Sequence, residues 1–378
     1  MGSQKNAPLP DGLTIHGYKI LRKIASGGFS IVYLAEDEAG ERFAIKEYLP
    51  SNLVQRVKGE LEPTVLEKNL GTFRNGLKCF FEEGRALAQI YHPNVVRVLN
   101  FFRANGTVYM VMAFEKGRSL QEIILRYRKT AQSRQQDKEA TSDDAAAAGP
   151  DGSPAGKSAG KVARTHDKTA APKMPATFDG LLAERHIIHV FNQVMSGLRE
   201  VHANRILHLD IKPANIYLRL DGTPLLLDFG AARRTLDAGG PKLFPMYTPG
   251  FAAPELYRRG RGMGPWTDVY SIGTSMYACM AGLPPQAADL RRENDKLPAA
   301  IERLSTFYSQ ALLDIVLWCV KLDPIERPQS VFALQRALRA IELPEPERKF
   351  SRTRWFSRIW RNTTSDAENE QHSIILPG

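Results

Sequence analysis

Apolar and polar residues change their period several times along the chain. From Tyr18 to Val32 and from Phe43 to Glu47 they alternate in short runs separated by Gly-rich turns, which predicts antiparallel strands. Between Lys78 and Ile90 the large residues Phe80, Phe81, Leu87 and Ile90 recur at helical spacing, and His92-Pro93-Asn94 ends the run. Two more strand-like runs, Val95 to Phe102 and Val108 to Phe114, flank the turn Ala104-Asn105-Gly106. From Leu181 to Ile341 the period is mostly helical, with a strand pair near Ile216–Leu218 and Leu225–Leu227. The pattern is that of an α+β protein with a sheet-rich first part and a helical second part.

Two stretches break the periodicity. Residues 1–14 are polar and Pro-rich and predict a flexible arm. Across 129–178 the only large aliphatic residues are Val162 and Met174, while Ala, Lys, Asp, Gly, Ser and Pro dominate. Such a segment buries too little apolar surface to offset its ordering entropy, and it reads as a disordered insert or linker. The longest apolar runs, such as Ile315 to Val320, fall well short of the roughly 18–20 residues of a membrane span. Met1 to Asn6 carries no apolar core of a secretory signal. Cys79, Cys279 and Cys319 lie far apart without a CxxC pair, which fits a reducing compartment and argues against a disulfide framework or a four-cysteine zinc site. A cytoplasmic location is expected.

The 51 Lys and Arg against 41 Asp and Glu give a net charge of +10, spread along the chain except for a cluster near the end. That distribution does not point to nucleic acid; phosphate-bearing ligands, acidic partners and anionic membrane surfaces all suit it.

The chemistry gathers in His208-Leu209-Asp210-Ile211-Lys212-Pro213-Ala214-Asn215, followed by Asp228-Phe229-Gly230 and Ala253-Pro254-Glu255. In this order and spacing the chain resembles the eukaryotic-like (Hanks-type) serine/threonine protein kinases, in a bacterial style, over about residues 18–341 minus the insert, within a kinase domain expected over 15–341. The resemblance implies a two-lobed fold, with an antiparallel N-lobe over about 15–112 carrying one main helix and a helical C-lobe over about 116–341. It also implies ATP with Mg²⁺ (Mn²⁺ as an alternative ion) between the lobes and transfer of the γ-phosphoryl group to Ser or Thr of protein substrates, and of the chain itself. Asp210 matches the carboxylate that accepts the hydroxyl proton, Lys212 the cation beside the γ-phosphate, and Asn215 and Asp228 the hard oxygen ligands of the metal. Phe43-Ala44-Ile45-Lys46 resembles the strand that presents the phosphate lysine. Its partner, counted back from His92-Pro93-Asn94, is Glu83, with Glu82 as runner-up; adjacent helix positions point about 100° apart, so only one faces inward. Ala44 and Met112 match the adenine pocket, Ala113–Glu115 the hinge, and Thr248 the threonine that touches the catalytic Asp and Lys.

The glycine-rich loop departs from Gly-x-Gly-x-x-Gly. In Ile24-Ala25-Ser26-Gly27-Gly28-Phe29-Ser30-Ile31-Val32, Ala25 and Ser30 replace the outer glycines. Gly27 and Gly28 are expected to supply positive φ and backbone amides for phosphate, with Ile24 and Val32 over the base. Leu209 stands where most relatives carry an Arg that pairs with activation-segment phosphate, which predicts weak dependence on that phosphorylation. These departures favour the alternative of a pseudokinase scaffold; Lys46, Asp210, Asn215 and Asp228 together argue against it. Structural matches are the Glu255–Arg327 ion pair, Asp268 under the catalytic loop, and a spine of Leu87, Val98, His208 and Phe229.

Three segments fall outside the family pattern. The 83 − 46 = 37 residue interval between Lys46 and Glu83 predicts an extra loop or short helix beside the N-lobe, regulatory or ornamental, and loops tolerate insertion cheaply. The insert reads as a tolerated disordered loop or, alternatively, as a docking or autophosphorylation loop using Thr130, Ser133, Thr141, Ser142, Ser153 or Ser158. In 342–378, basic and aromatic residues interleave over 348–361, which suits packing on the C-lobe, a partner helix, or an anionic membrane at the inner face. Thr363-Thr364-Ser365-Asp366 fits a phosphothreonine motif read by forkhead-associated modules.

Overall fold

The computed structural model describes residues 5–129, 182–229, 248–257 and 262–341, together with the backbone of 233–234. The insert, the tail beyond 341, Thr235 and most of the activation segment lie outside the described residues.

The N-lobe is a six-stranded antiparallel sheet in the order β1-β2-β3-β4-β8-β7, built from β1 (Thr14–Ile15), β2 (Tyr18–Ser26), β3 (Ser30–Glu36), β4 (Arg42–Tyr48), β7 (Val98–Ala104) and β8 (Thr107–Ala113). Asn105 and Gly106 both take positive φ (47° and 64°), and the β7–β8 hairpin closes as its turn residues predict. Between β4 and helix α1 (Leu70–Leu87) a small hairpin forms from β5 (Val54–Gln55) and β6 (Thr64–Val65). The long Lys46–Glu83 interval therefore holds an ordered hairpin and two extra helical turns.

Helix α1 begins eight residues before the expected Lys78. Its inward face runs Phe73, Gly76, Phe80, Gly84 and Leu87, all buried, and the two glycines conceal the period. Gly76 is required by packing: a Cβ there would sit 1.8 Å from the Tyr48 hydroxyl oxygen. The Tyr48 ring in turn lies against Phe73 and Phe80, at 5.7 and 5.6 Å between centroids.

The flexible arm expected over 1–14 is corrected from Asn6 onward. Leu9 is 2% exposed and its N–H donates to the Tyr33 hydroxyl at 3.1 Å, while Ala7 exchanges hydrogen bonds with Arg56. One buried leucine and a set of polar partners hold a segment whose composition alone reads as loose.

The C-lobe packs helices around α4 (Pro265–Ala281), whose residues from Thr267 to Ala281 are all buried. Around it lie α2 (120–129), α3 (Glu184–Ala203), α5 (Ala288–Arg291), α6 (Leu297–Glu302), α7 (Gln310–Cys319) and α8 (Val331–Arg339). Buried Glu255 and Arg327 meet in a two-pronged ion pair at 2.9 and 3.0 Å, as the sequence predicts, and Thr267 Oγ1 donates to the same carboxylate at 2.8 Å. Short strands β9 (Gly117–Ser119), β11 (Ile216–Arg219) and β12 (Pro224–Leu226) form a three-stranded sheet below the hinge; β10 (Ile206–Leu207) pairs with β13 (Arg233–Arg234). Val95, expected to open a strand, instead bridges to Leu226, and the Val96 N–H donates to the Leu226 carbonyl at 3.0 Å. One apolar core runs through both lobes, and Leu207, Leu209, Ala252 and Leu256 form a separate small cluster.

Candidate active site

Strand alternation decides which side chains face the crease between the lobes. On β3, β4 and β8 the face that carries Val32, Ala44, Lys46, Met110 and Met112 lines it. Two adjoining recesses of about 390 and 280 Å³ share Val96, Met112 and Leu227. The first is lined by Lys46, Glu83, Asp228 and Phe229, the second by Ala44, Ala113, Glu115 and Tyr217. Ile24 is buried on β2 next to the glycine hairpin.

Lys46 is 7% exposed and forms an ion pair with Asp228. Asp228 sits at φ 53°, a strained left-handed position that a functional site can sustain. Burial alone would lower Lys46, but the neighbouring Asp228 and Glu83 charges outweigh it and hold the ammonium above its ordinary value. Glu83 lines the same recess, yet its Oε1 is buried with no hydrogen-bond partner. Burial lifts its carboxyl to about 8 against the opposing pull of Lys46, with Asp228 adding to the rise. The expected Lys46–Glu83 clamp is thus corrected for this structure. The lysine's ion-pair partner is Asp228, because a carboxyl stripped of water so completely favours its neutral form.

The catalytic loop is held from beneath. The buried Asp268 carboxylate accepts the N–H groups of His208 (2.9 Å) and Leu209 (2.8 Å) and bonds the His202 ring at 2.7 Å. Those contacts, despite the cost of burial, keep it below the usual carboxylate range. Leu209, at φ 64°, turns into the cluster of Leu207, Ala252 and Leu256 rather than toward a charged partner. The His208 ring packs on Phe229 at 4.4 Å between centroids, and burial lowers its basicity, so it is a core residue. Leu87 lines the recess beside Phe229; Val96 does so too, while Val98 lies within the core.

Asp210 is the hub. Its Oδ2 accepts from Lys212 Nζ at 2.7 Å and from Asn215 Nδ2 at 3.1 Å, and its Oδ1 accepts from Thr248 Oγ1 at 2.9 Å. Lys212 Nζ also donates to Thr248 Oγ1 at 2.8 Å, closing a three-membered ring of contacts. Burial raises the Asp210 carboxyl above its ordinary value, against the opposing charge and hydrogen bond of Lys212. Asn215 spends its amide N–H groups on the Asp210 carbonyl and carboxylate, which leaves its Oδ1 buried without a partner. An orphaned amide oxygen on Asn215, which is bonded to Asp210, and the Asp228 carboxylate, whose charge reaches that same Asp210, are hard oxygen donors of the kind that suits a divalent cation.

The glycine hairpin differs from expectation. Neither Gly27 nor Gly28 has positive φ among the described residues; the Gly27 N–H donates to the Ser30 carbonyl at 2.9 Å. Ala25 and Ser30 lie in β2 and β3 and are buried, so the two lost glycines fall in strands, not in the turn. Sequence reasoning missed Val96, Met110, Tyr217 and Leu227 as recess-lining residues. For Tyr217 and Leu227 the signal available was alternation along 215–228, where Asn215 and Asp228 bracket a strand pair that carries Tyr217 and ends just before Leu227.

Residues 171–338 match the protein kinase domain family. The chain is 24% identical over 88% of its length to the serine/threonine-protein kinase pkn2 of Myxococcus xanthus and 22% identical over 97% to pkn3 of the same organism. It spans 33% and 59% of those proteins' own lengths. Among solved structures, PpkA-294 in its apo form superposes with a TM-score of 0.63 at 29% identity, covering 88% of this chain and 99% of that one. The Mycobacterium tuberculosis PknI kinase domain gives 0.55 at 19% identity over the same shares, a likeness of fold. With the two lobes, the crease and the loop of Asp210 in place, the chain has the protein kinase fold, and over residues 171–338 its sequence is similar to the protein kinase domain family.

Proposed function

We propose that this chain is an active serine/threonine protein kinase that moves the γ-phosphoryl group of ATP to protein hydroxyls, its own included. The observation that carries the reading is the convergence of Lys212, Thr248 and Asn215 on the Asp210 carboxylate, opposite a lysine–aspartate pair across the crease. Phosphoryl transfer asks a protein mainly to position groups and neutralise charge. Asp210 orients the incoming hydroxyl and takes its proton; Lys212, 2.7 Å from that carboxylate, offsets charge gathering on the transferred group. Thr248 fixes the rotamer of both. Lys46 would turn from Asp228 to the α- and β-phosphates, with Glu83 lining the same recess. Asn215 and Asp228 would hold Mg²⁺, or Mn²⁺ in its place, which would supply positive charge to neutralise phosphate oxygens. The base enters between Ala44, Met112, Tyr217 and Leu227, under Ile24 and Val32 and against the hinge at Ala113–Glu115. Gly27 and Gly28 bring backbone close to phosphate.

A kinase of this kind works on protein substrates in the cytoplasm; among the described residues no helix is long and apolar enough to cross a membrane. The forkhead-associated partner at Thr363, membrane contact through 348–361 and phosphorylation of the insert belong to segments outside the described residues. The test incubates the full chain with labelled ATP and Mg²⁺ beside Asp210→Ala and Lys46→Met, then maps phosphosites by mass spectrometry. Label on Ser and Thr of the wild type, absent from both variants, is expected. A wild type that binds nucleotide yet transfers nothing would make the protein a scaffold.

A further inference from the structure

The segment that follows β4 is more than a spacer. Strand alternation sends Lys46 into the crease and Glu47, the next residue, to the opposite face of the sheet, where it is 0% exposed. Its carboxylate is completely satisfied. Oε1 accepts from Arg56 Nη1 (2.6 Å) and the Tyr109 hydroxyl (2.8 Å); Oε2 accepts from Arg56 Nη2 (2.8 Å) and the Tyr33 hydroxyl (2.7 Å). Arg56 is equally committed. Its Nε donates to the Ala7 carbonyl at 2.8 Å, Nη1 also to the Leu61 carbonyl at 3.3 Å, and Nη2 also to the Tyr33 hydroxyl at 3.1 Å. All five guanidinium N–H groups thus have acceptors.

A buried ion pair is weak evidence for stability, since apolar residues of similar volume would serve as well; its best-attested use is to fix a register. The register fixed here is that of residues 49–56. The Leu49 N–H donates to the Phe29 carbonyl and the Ser51 N–H to the Gly28 carbonyl, both at 2.8 Å. These are carbonyls of the glycine hairpin, in which Ala25 and Ser30 stand at the outer glycine positions of the family pattern and whose Gly27 N–H donates to the Ser30 carbonyl across the turn. On its other side the segment reaches α1: the Asn69 side chain donates to the Leu53 carbonyl at 3.1 Å.

We infer that Arg56 is a positioning residue for nucleotide phosphate: locked on Glu47, it holds residues 49–56 as a brace whose Leu49 and Ser51 amides set the height of the Gly27–Phe29 hairpin over the crease. The inference rests on the kinase reading for its consequence, though the brace itself can be measured without nucleotide. Because Glu47 adjoins Lys46, one strand ties the phosphate lysine and the phosphate loop to a common anchor. The pair lies outside the crease, so it acts through the hairpin and touches no reacting atom.

The test uses the full chain carrying Ser51→Pro, which deletes the N–H to Gly28, beside Ser51→Ala, which retains it and isolates the hydroxyl. The double variant Glu47→Leu/Arg56→Met removes both partners together, so that no lone buried charge unfolds the lobe. Hydrogen exchange over 27–30, the dissociation constant of a fluorescent ATP analogue, and KM for ATP and for a peptide substrate are read together. Expected for Ser51→Pro and the double variant are faster exchange over 27–30 and nucleotide binding weakened about fivefold, the worth of one backbone hydrogen bond, with KM for peptide unmoved. Unchanged exchange and ATP affinity in both would overturn the inference. So would parallel losses in both KM values and kcat that track melting temperature, since those mark a purely structural role. If the wild type binds no nucleotide, the kinase reading fails, and exchange over 27–30 still decides the brace.

Discussion

Glu83→Gln probes the electrostatics of the crease through a single proton. The folded carboxyl is lifted to about 8, chiefly by burial, with Lys46 opposing and Asp228 assisting. An unfolded glutamate titrates near 4.3. Between the two values the folded chain keeps a proton that the unfolded chain has released, so wild-type stability falls as pH rises, and the loss is complete once pH passes the folded value. One pKa unit is worth about 1.4 kcal/mol, so a gap of roughly 3.5 units sets a ceiling near 5 kcal/mol. Local relaxation and water entry reduce this to about 2–4 kcal/mol in practice. Glutamine does not titrate. The variant should therefore differ little from wild type near pH 4.5, gain on it by about 1 kcal/mol per pH unit between 5 and 8, and hold a constant lead above that. Urea unfolding of both proteins from pH 5 to 9 at fixed ionic strength, followed by circular dichroism, gives the difference directly. A stability difference that is flat across that range would refute the burial argument and with it the reason Lys46 pairs with Asp228.

Two further outcomes follow from the C-lobe. Arg327→Met strands the buried Glu255 carboxylate and should cost about 3–5 kcal/mol in denaturant unfolding, most of it recovered in Glu255→Leu/Arg327→Met; a single-variant cost below about 1 kcal/mol would contradict the buried geometry. Thr235→Ala should retain most phosphotransfer activity in a peptide assay, because Leu209 packs with Leu207, Ala252 and Leu256 and offers no charge for an activation-segment phosphate. Activity abolished by that change and restored by Thr235→Glu would reverse the reading.

What the sequence revealed and what it hid follow a physical division. His208 to Asn215 is one short loop, so Lys212 and Asn215, which converge on Asp210, lie within five residues of it, and the motif that the resemblance supplies already groups them. Asp268 and Thr248 come from farther along the chain and were legible only through resemblance. The start of α1 was obscured because its first turns contain Gly71 and Gly76, residues that weaken a helical pattern, and Gly76 sits where the Tyr48 ring presses against the backbone. The ordering of Asn6 to Leu9 was hidden for another reason. It depends on one apolar side chain and on acceptors and donors supplied by Tyr33 and Arg56, none of which composition registers.

The sharpest contrast is between neighbours. Lys46 and Glu47 look alike in sequence, two charges at the end of a strand, and pattern assigns a role only to the first. Burial assigns one to both, because a pleated strand with each face covered must find partners for charge on each side. Lys46 finds Asp228 in the crease; Glu47 finds Arg56, nine residues on, across a hairpin that periodicity leaves blank. Choice of partner is set by desolvation, which depends on every surrounding element at once. That is why the sequence named Glu83, with Glu82 as runner-up, as the partner of Lys46, whereas the folded chain pairs it with Asp228. It is also why a segment that reads as an insertion can hold the loop that approaches phosphate.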